Sequence, residues 1–261
     1  MRQEVKSDRR DEMPISKFFK HPDNSGIREK IFFHRLYYEL TLAAAHRGAF
    51  LQVFTPEVDR EGFDIVLDDG EVSRRFQLKS FVKSARTASW KIQRRLLRPE
   101  RRDAEALGFE FSPTGTGLGG GVILIKIDDS DDSCPVSYFY TDVFVLTALA
   151  DEMIVSKRPA RARQARNLIS ELRQGRGREP VPVPAGVFFK IRSASCLLAA
   201  AGFHSTEETY LWGHKLLSAL RQGFRMDERS SDSAFRAKAA PVKYAISGLM
   251  SLVDEPDLSS F

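Results

Sequence analysis

Residues 62–80, GFDIVLDDGEVSRRFQLKS, contain the pattern that most constrains the fold of this chain. Apolar and polar residues alternate on both sides of an acidic segment, DDGEVS, that contains Gly70. Alternation with a period of two is typical of strands, and glycine between two such runs is typical of a turn. The pattern predicts an antiparallel hairpin, in which residues whose numbers add up to about 141–143 face each other.

One face of this hairpin is predicted to be polar. Because strand side chains alternate, Phe76 and Leu78 point one way, whereas Gln77 and Lys79 point the other way. The expected register places Asp64 opposite Gln77 or Lys79 and on their face of the hairpin. A carboxylate, an amide and an ammonium group are therefore predicted to lie close together.

The segment before the hairpin, SGIREKIFFHRLYYELTLAAAHRG, is predicted to be a helix that starts at Ser25 and stops at Gly48. At 100° per residue, Glu39 falls on its apolar stripe and is expected to point at the sheet. An unpaired buried carboxylate is costly, so we expect Glu39 to meet a partner, with Asp64 as the candidate. Glu29, nearer the start of the helix, is the alternative inward acid.

These residue types together suit a hard divalent cation. Mg²⁺ takes oxygen ligands, commonly one or two carboxylates with waters and phosphate oxygens. Asp64 and Glu39 are the candidate charged metal ligands, and the Gln77 oxygen or a nearby backbone carbonyl is the candidate neutral one. Lys79 would favour hydroxide over water and neutralise charge on a pentacovalent phosphorus. Mg²⁺ or Mn²⁺ is the expected cofactor.

Three further acids precede the hairpin, Glu57, Asp59 and Glu61. They are predicted to form a solvated loop, with contact to the metal as the alternative.

The order of these residues resembles the PD-(D/E)xK nuclease superfamily in its Q-x-K form, which includes restriction endonucleases and Holliday-junction resolvases. The family pattern is a helix with Glu, a strand, a strand with Asp, and a strand with (E/D/Q)-x-K. YYELTLAAAHRGAF, GFDIVL and RRFQLKS follow this order. The resemblance covers about residues 27–80 and continues more weakly to about 150. Phe63 stands where the family usually has proline, and Gln77 lowers the negative charge of the site.

The resemblance implies an α/β (α+β) fold with a restriction-endonuclease-like mixed sheet flanked by helices. It implies metal-dependent cleavage of nucleic acid, with DNA favoured over RNA, in restriction, phage defence or repair. It also implies that Asp64, Glu39 and Gln77 hold the metal while Lys79 orients the attacking water. The alternatives are a catalytically idle module that binds nucleic acid or a partner protein, and an ordinary Asp64–Lys79 ion pair.

A dense run of arginines, KIQRRLLRPERR, follows the hairpin. Clusters of this kind contact phosphates and make affinity depend on salt, although many charge runs are simply exposed faces. We expect nucleic-acid contacts from Arg94, Arg95, Arg98, Arg101 and Arg102.

The remaining sequence completes the α/β core and adds a helical C-terminal part. VILIKI and VSYFY are predicted strands, Asp142 a helix N-cap, and a glycine- and proline-rich stretch a linker. The C-terminal region carries no motif, so specificity, homodimer contacts and a partner-protein surface remain its open roles. The predicted organisation is a disordered lead-in (1–24), a nuclease core (25–174), a linker (175–186) and a mainly helical region (187–261).

Charge and cysteine content exclude several classes of protein. Lys and Arg number 40 against 35 acids, a net charge of +5, and two cysteines cannot form a disulfide framework. No apolar run approaches the ~20 residues of a membrane helix, and the charged N-terminus is unlike a signal peptide. A cytoplasmic protein without a membrane partner is expected.

Overall fold

The computed structural model describes the chain from residue 14 to 254, with gaps. The described residues are 14–57, 62–85, 87–110, 115–130, 133–154, 156, 158–174, 179–207, 212–222 and 233–254, with the backbone alone for 233–239.

Helices and strands are interspersed along the described chain. The helices are α1 (Ile15–Lys20), α2 (Ser25–His46), α3 (Arg94–Leu97), α4 (Val143–Ala150), α5 (Ala160–Arg173), α6 (Ala194–Ala200), α7 (Trp212–Arg221) and α8 (Ser233–Leu252). The strands are β1 (Gln52–Phe54), β2 (Ile65–Asp68), β3 (Ser73–Val82), β4 (Ser89–Gln93), β5 (Gly121–Ile127), β6 (Val136–Asp142), β7 (Pro180–Pro184), β8 (Phe189–Ile191) and β9 (Val253–Asp254).

The described strands form a seven-stranded mixed sheet, in the order β1-β2-β3-β5-β6-β8-β9, and a two-stranded sheet of β4 and β7. Only β3 and β5 pair in parallel among the described strands. The predicted hairpin is confirmed, since Ile65 faces Phe76 and Val66 faces Arg75. Gly70 has a φ of 89°, which explains why glycine occupies the turn. The predicted α/β (α+β) class, with a mixed sheet flanked by helices, is thus confirmed.

The two faces of the large sheet are covered differently. On the face that carries Phe76, its ring packs against Tyr140 of β6 and against Phe203 after α6, and α2 packs on α6. On the opposite face, Phe81 packs against Trp90 of β4, with ring centroids 5.3 Å apart. The central strands are therefore buried on both faces, as the apolar run VILIKI in β5 requires.

The structure differs from the predicted lead-in at residues 14–24. Residues Ile15–Lys20 form α1, and Phe19 is buried against Phe32 of α2, with ring centroids 5.2 Å apart. The apolar pair Phe18–Phe19 anchors this otherwise polar segment. Residues 1–13 lie outside the described part of the chain.

The structure also differs from the predicted linker. Within 175–186, Pro180–Pro184 form β7, in which Val181 and Val183 are fully buried between more exposed prolines. Alternate prolines are compatible with an edge strand, because each strand of a two-stranded sheet has an open side. Residues 175–178 lie outside the described chain. Beyond this segment, β8 joins the large sheet beside β6, so the region predicted to be mainly helical also supplies strands.

Residues 101–108 form turns, and α8 begins at Ser233 and contains Pro241. Among the described residues, no helix is both long and apolar enough to cross a membrane.

Candidate functional site

The candidate site lies where β3 runs past the start of β2. β2 pairs with β3 only from Ser73 to Phe76, whereas β3 continues to Val82 with β5 along its other edge. The last backbone contact is the Asp64 amide, which donates to the Phe76 carbonyl at 2.8 Å. Beyond it, the Asp64 carboxylate accepts a hydrogen bond from the Leu78 amide at 2.6 Å. The Asp64 side chain therefore takes the place of a strand partner at this open edge.

The backbone of Leu78 offers a second oxygen at the same edge. A residue in an extended strand directs its N–H and its C=O to the same side of the strand. Because the Leu78 amide points to Asp64, its carbonyl also points into the space past the start of β2. An acid and a neutral carbonyl thus face one opening, as a hard cation requires.

This opening is part of a cavity of about 360 Å³ between α2 and the hairpin. Two acids and two lysines are among its lining residues, with Asp64 and Lys79 half-buried and Glu29 and Lys30 exposed. Leu78 and Ser80 point into the cavity from β3, whereas the Lys79 side chain leaves the strand on the opposite face, which is that of Gln77 and Phe81. The side chains of Glu29, Lys30 and Lys79 make no hydrogen bond or ion pair with any of the described residues. The cavity is lined by Gly26, Glu29, Lys30, Phe33, Asp64, Leu78, Lys79, Ser80 and Ile125.

Glu39 does not lie in this cavity. Its carboxylate pairs with Arg35 Nε at 3.0 Å, and Arg35 also donates to the Cys134 carbonyl. Burial and the nearby Glu39 carboxylate both raise the pKa of Tyr138. Glu29 lies about 15 Å from Glu39 along the helix axis, because ten residues separate them. The structure therefore places the alternative acid, Glu29, in the same cavity as Asp64, and gives Glu39 other partners.

Gln77 also faces away from the cavity. Its side chain is 8% exposed, and its Oε1 accepts a hydrogen bond from the Gln93 amide of β4 at 3.2 Å. This contact fixes β4 against the sheet. The Leu78 carbonyl, a backbone group of the kind expected as an alternative ligand, is the neutral oxygen that faces the cavity.

The five arginines after the hairpin divide into two groups. Arg94 and Arg98 are buried and donate to carbonyls at the C-terminal end of α5. Arg94 donates to the carbonyls of Glu171 and Gln174. Arg98 donates to the carbonyls of Leu172 and Gln174. These carbonyls have no partner within their own helix, so the guanidinium groups satisfy them.

The other three arginines of the run are more accessible. Arg95 is half-buried, Arg101 and Arg102 are exposed, and Arg102 pairs with Glu100 at 3.1 Å. Only these three remain accessible to a phosphate backbone.

The cavity contains oxygen groups of the kind that a hard divalent ion takes as ligands, namely two carboxylates and a carbonyl. No group of three His, Cys, Asp or Glu side chains placed to hold a metal exists among the described residues. Mg²⁺ does not require such a group, since it keeps several waters and commonly takes one or two protein carboxylates with substrate phosphate. Glu57 is exposed, and Asp59 and Glu61 lie outside the described residues.

A second cavity, of about 320 Å³, lies at the opposite end of β3. Its floor is Arg74, which donates to Asp142 at 3.2 Å and to the carbonyls of Gly119 and Ala201. The Asp142 carboxylate also accepts hydrogen bonds from the Tyr140 hydroxyl and from the Val145 amide. The second bond caps α4, so the predicted N-cap is confirmed. These contacts join strands and helices, and they leave the charges at the floor paired with each other.

Lys30 and Ser80 are cavity residues that the sequence pattern did not single out. Lys30 belongs to an ordinary charged run, REK, and Ser80 follows the Q-x-K motif by one residue. Ser80 could have been identified from its position in the predicted strand that contains Gln77 and Lys79, beyond the residues that pair in the hairpin.

In comparisons with known proteins, no protein-family model, no curated protein and no solved structure matches this chain.

Proposed function

We propose that this protein is a metal-dependent nuclease that hydrolyses phosphodiester bonds in DNA at the cavity between α2 and the β2–β3 hairpin. The observation that carries the proposal is the Asp64 carboxylate held against the Leu78 amide, directly before Lys79, in a cavity that Glu29 and Lys30 also line. The elements on which the resemblance to PD-(D/E)xK nucleases depends support it, since α2, β1, β2 and β3 follow in that order.

Asp64, Glu29 and the Leu78 carbonyl are the groups that would hold Mg²⁺ or Mn²⁺. The ion supplies a polarised phosphate oxygen and a bound water of lowered pKa. Asp64 is restrained by its backbone contact, so its ligand oxygen has little freedom to lose on binding. Glu29 is exposed and adds the second negative charge from the first turns of α2.

The two lysines act on the phosphate and on the water. Lys79 leaves β3 on the Gln77 face, so it would reach the water around the open edge of the strand, where it would orient the water and stabilise the negative charge that grows on the phosphorus oxygens. Lys30 attracts the phosphodiester from the helix side of the cavity. As the water oxygen bonds to phosphorus it releases a proton to solvent, the ester bond on the opposite side breaks, and the leaving oxygen takes up a proton from solvent.

Cleavage of plasmid and linear DNA by the purified chain, with Mg²⁺ or Mn²⁺ and with a chelator as the blank, tests the proposal. We expect metal-dependent cleavage that Asp64→Ala and Lys79→Ala abolish with the circular dichroism spectrum unchanged. Lys91→Ala is the matched control, because Lys91 is an exposed lysine of β4. Activity equal to wild type in both site variants would remove these residues from the mechanism.

The second candidate function is a catalytically idle module that keeps this fold and binds nucleic acid or a partner protein. The observation that favours it is the position of Gln77 and Glu39, whose side chains bond to Gln93 and Arg35 instead of facing the cavity. Salt-sensitive DNA binding without cleavage in either metal would support this function over the first.

A further inference from the structure

The outer face of α2 carries a row of residues that nothing in the described chain covers. Ile27, Ile31, Tyr38 and Leu42 are 52%, 43%, 66% and 44% exposed, and His34 and Ala45 between them are exposed too. At 100° per residue these six positions fall within an arc of about 80°. We call this row the outer stripe.

The outer stripe lies opposite the buried face of the helix. That face consists of Phe32, Leu36, Leu40, Ala43 and Ala44. A single exposed apolar side chain is ordinary, but the outer stripe continues for about 27 Å along the helix. Continuous exposed apolar surface of this kind marks a contact site.

The spacing of the outer stripe indicates that its partner is another helix. Its positions are separated by four, three, four, four and three residues, which follows the three-and-four spacing of a coiled-coil seam except for one repeated step of four. Such a seam packs its side chains into the holes of a facing helix, so the occupant must present a matching row.

We infer that the outer stripe pairs with the outer stripe of a second copy of this chain, with the two α2 helices antiparallel. In that arrangement residues whose numbers add up to about 72 face each other. His34 then faces Tyr38, and Ile27 faces Ala45, so a large side chain meets a small one at each end. Ile31 lies within one residue of Leu42.

The charges beside the outer stripe agree with this pairing. None of its six positions has an acidic or a permanently cationic side chain. Arg35 and Glu39, bonded at 3.0 Å in one copy, lie on the same flank. The two-fold axis brings Arg35 of each copy within one helical turn of Glu39 in the other.

The area of the outer stripe predicts a weak dimer. Its exposed parts amount to roughly 400 Å² of apolar surface per copy, so the pair with its flanking residues buries on the order of 1,000 Å². Interfaces of this size belong to complexes that dissociate on dilution. This inference does not depend on the proposed nuclease activity, because an inactive protein would dimerise in the same way.

Sedimentation velocity of the full chain, from about 2 to about 200 µM, tests the pairing. We expect a monomer that becomes a dimer over this range, and a Tyr38→Glu variant that stays monomeric. Tyr37→Glu is the matched control, because Tyr37 is the neighbouring exposed tyrosine but lies off the outer stripe. A monomeric wild type at the highest concentration, or a dimer unchanged by Tyr38→Glu, would overturn the inference.

Cysteine cross-linking separates this arrangement from others without disturbing the fold. The native cysteines, Cys134 and Cys196, are both buried. Under mild oxidation we expect Ile27→Cys protein to cross-link to Ala45→Cys protein and not to itself, since two copies of residue 27 lie about 27 Å apart along an antiparallel pair. Self-cross-linking of Ile27→Cys in preference to the mixed pair would show a parallel arrangement and overturn the proposed one.

Discussion

The Asp64 carboxylate accepts a hydrogen bond from the Leu78 amide across the open edge of β3, at 2.6 Å. The acid at the start of one strand is thereby tied to the residue directly before Lys79 in the next. The relative position of Asp64 and Lys79 is thus set by backbone groups, which hold a site more rigidly than pairs of long side chains do.

Replacing Asp64 by Asn separates its structural role from its charge. The Asn oxygen can still accept from the Leu78 amide, so we expect the free energy of unfolding in urea to change by no more than about 1 kcal/mol. Loss of the negative charge should lower the DNA cleavage rate at least ~100-fold. Asp68→Asn, at the other end of β2, is the control and should cleave normally. Full activity of Asp64→Asn would argue against a charged ligand at this position.

A comparison of Glu29→Gln with Glu39→Gln determines which acid of α2 serves the site. Glu29 lines the cavity, whereas Glu39 pairs with Arg35. We expect Glu29→Gln to weaken Mn²⁺ binding about tenfold and Glu39→Gln to leave it unchanged. Isothermal titration with Mn²⁺ measures this without requiring cleavage. The opposite result would return the ligand role to Glu39.

The buried and exposed arginines after the hairpin should behave differently. Replacing Arg101 and Arg102 together by Ala should reduce the slope of log affinity for DNA against log salt by about 2, since each lost phosphate contact removes roughly 0.9. Arg98→Met should instead lower the midpoint of urea unfolding, because the α5 carbonyls lose their donor. Fluorescence anisotropy across a salt series measures the first effect. An unchanged slope would exclude these two residues from the interface.

Asp69 makes stability depend on pH. Burial alone would raise the pKa of Asp69, but hydrogen bonds from the amides of His204, Val72 and Glu71 and from the His204 ring outweigh it, so the pKa lies below 3.8. A carboxyl group with a lowered pKa stabilises the folded protein at pH values above the pKa it has in the unfolded chain. This stabilisation is lost as the pH falls through the pKa of the folded state.

We therefore expect Asp69→Asn to cost about 1–3 kcal/mol at pH 7, and the difference from wild type to shrink below about pH 4. Urea unfolding at a series of pH values measures both. Asp23→Asn, at an exposed carboxylate, is the control and should show neither effect. A constant difference between wild type and Asp69→Asn down to pH 2 would contradict the assignment.

Local sequence patterns predicted the elements of the site well. The alternation around Gly70 fixed the hairpin register, and the side-chain chemistry of Asp142 indicated the start of α4. These features depend on neighbouring residues in the chain, which a pattern can express directly. The pairing of β2 with β3 ends at Ile65 and Phe76, one residue before the predicted opposition of Asp64 to Gln77.

Features that depend on packing between distant segments were not predictable in this way. The helical period shows which side of α2 is apolar, but not which strand lies beneath each turn, so it did not distinguish Glu29 from Glu39. The sequence pattern predicted Arg94 and Arg98 to be accessible to nucleic acid, because the α5 carbonyls that bind them lie more than 70 residues away in sequence. The sequence pattern predicts that Gln77 faces the site, because its contact with the backbone amide of Gln93 in β4 depends on packing that the pattern does not express.

The pairing of β8 with β6 limits how the protein can be divided for study. A truncation after residue 186 would remove β8 and β9 and leave the outer backbone groups of β6 without partners. It would also remove three core residues, Val187, Phe188 and Phe189, which are at most 1% exposed. Such a fragment would present an unprotected strand edge and would tend to aggregate. The N-terminal and C-terminal parts of the chain are best expressed as one polypeptide.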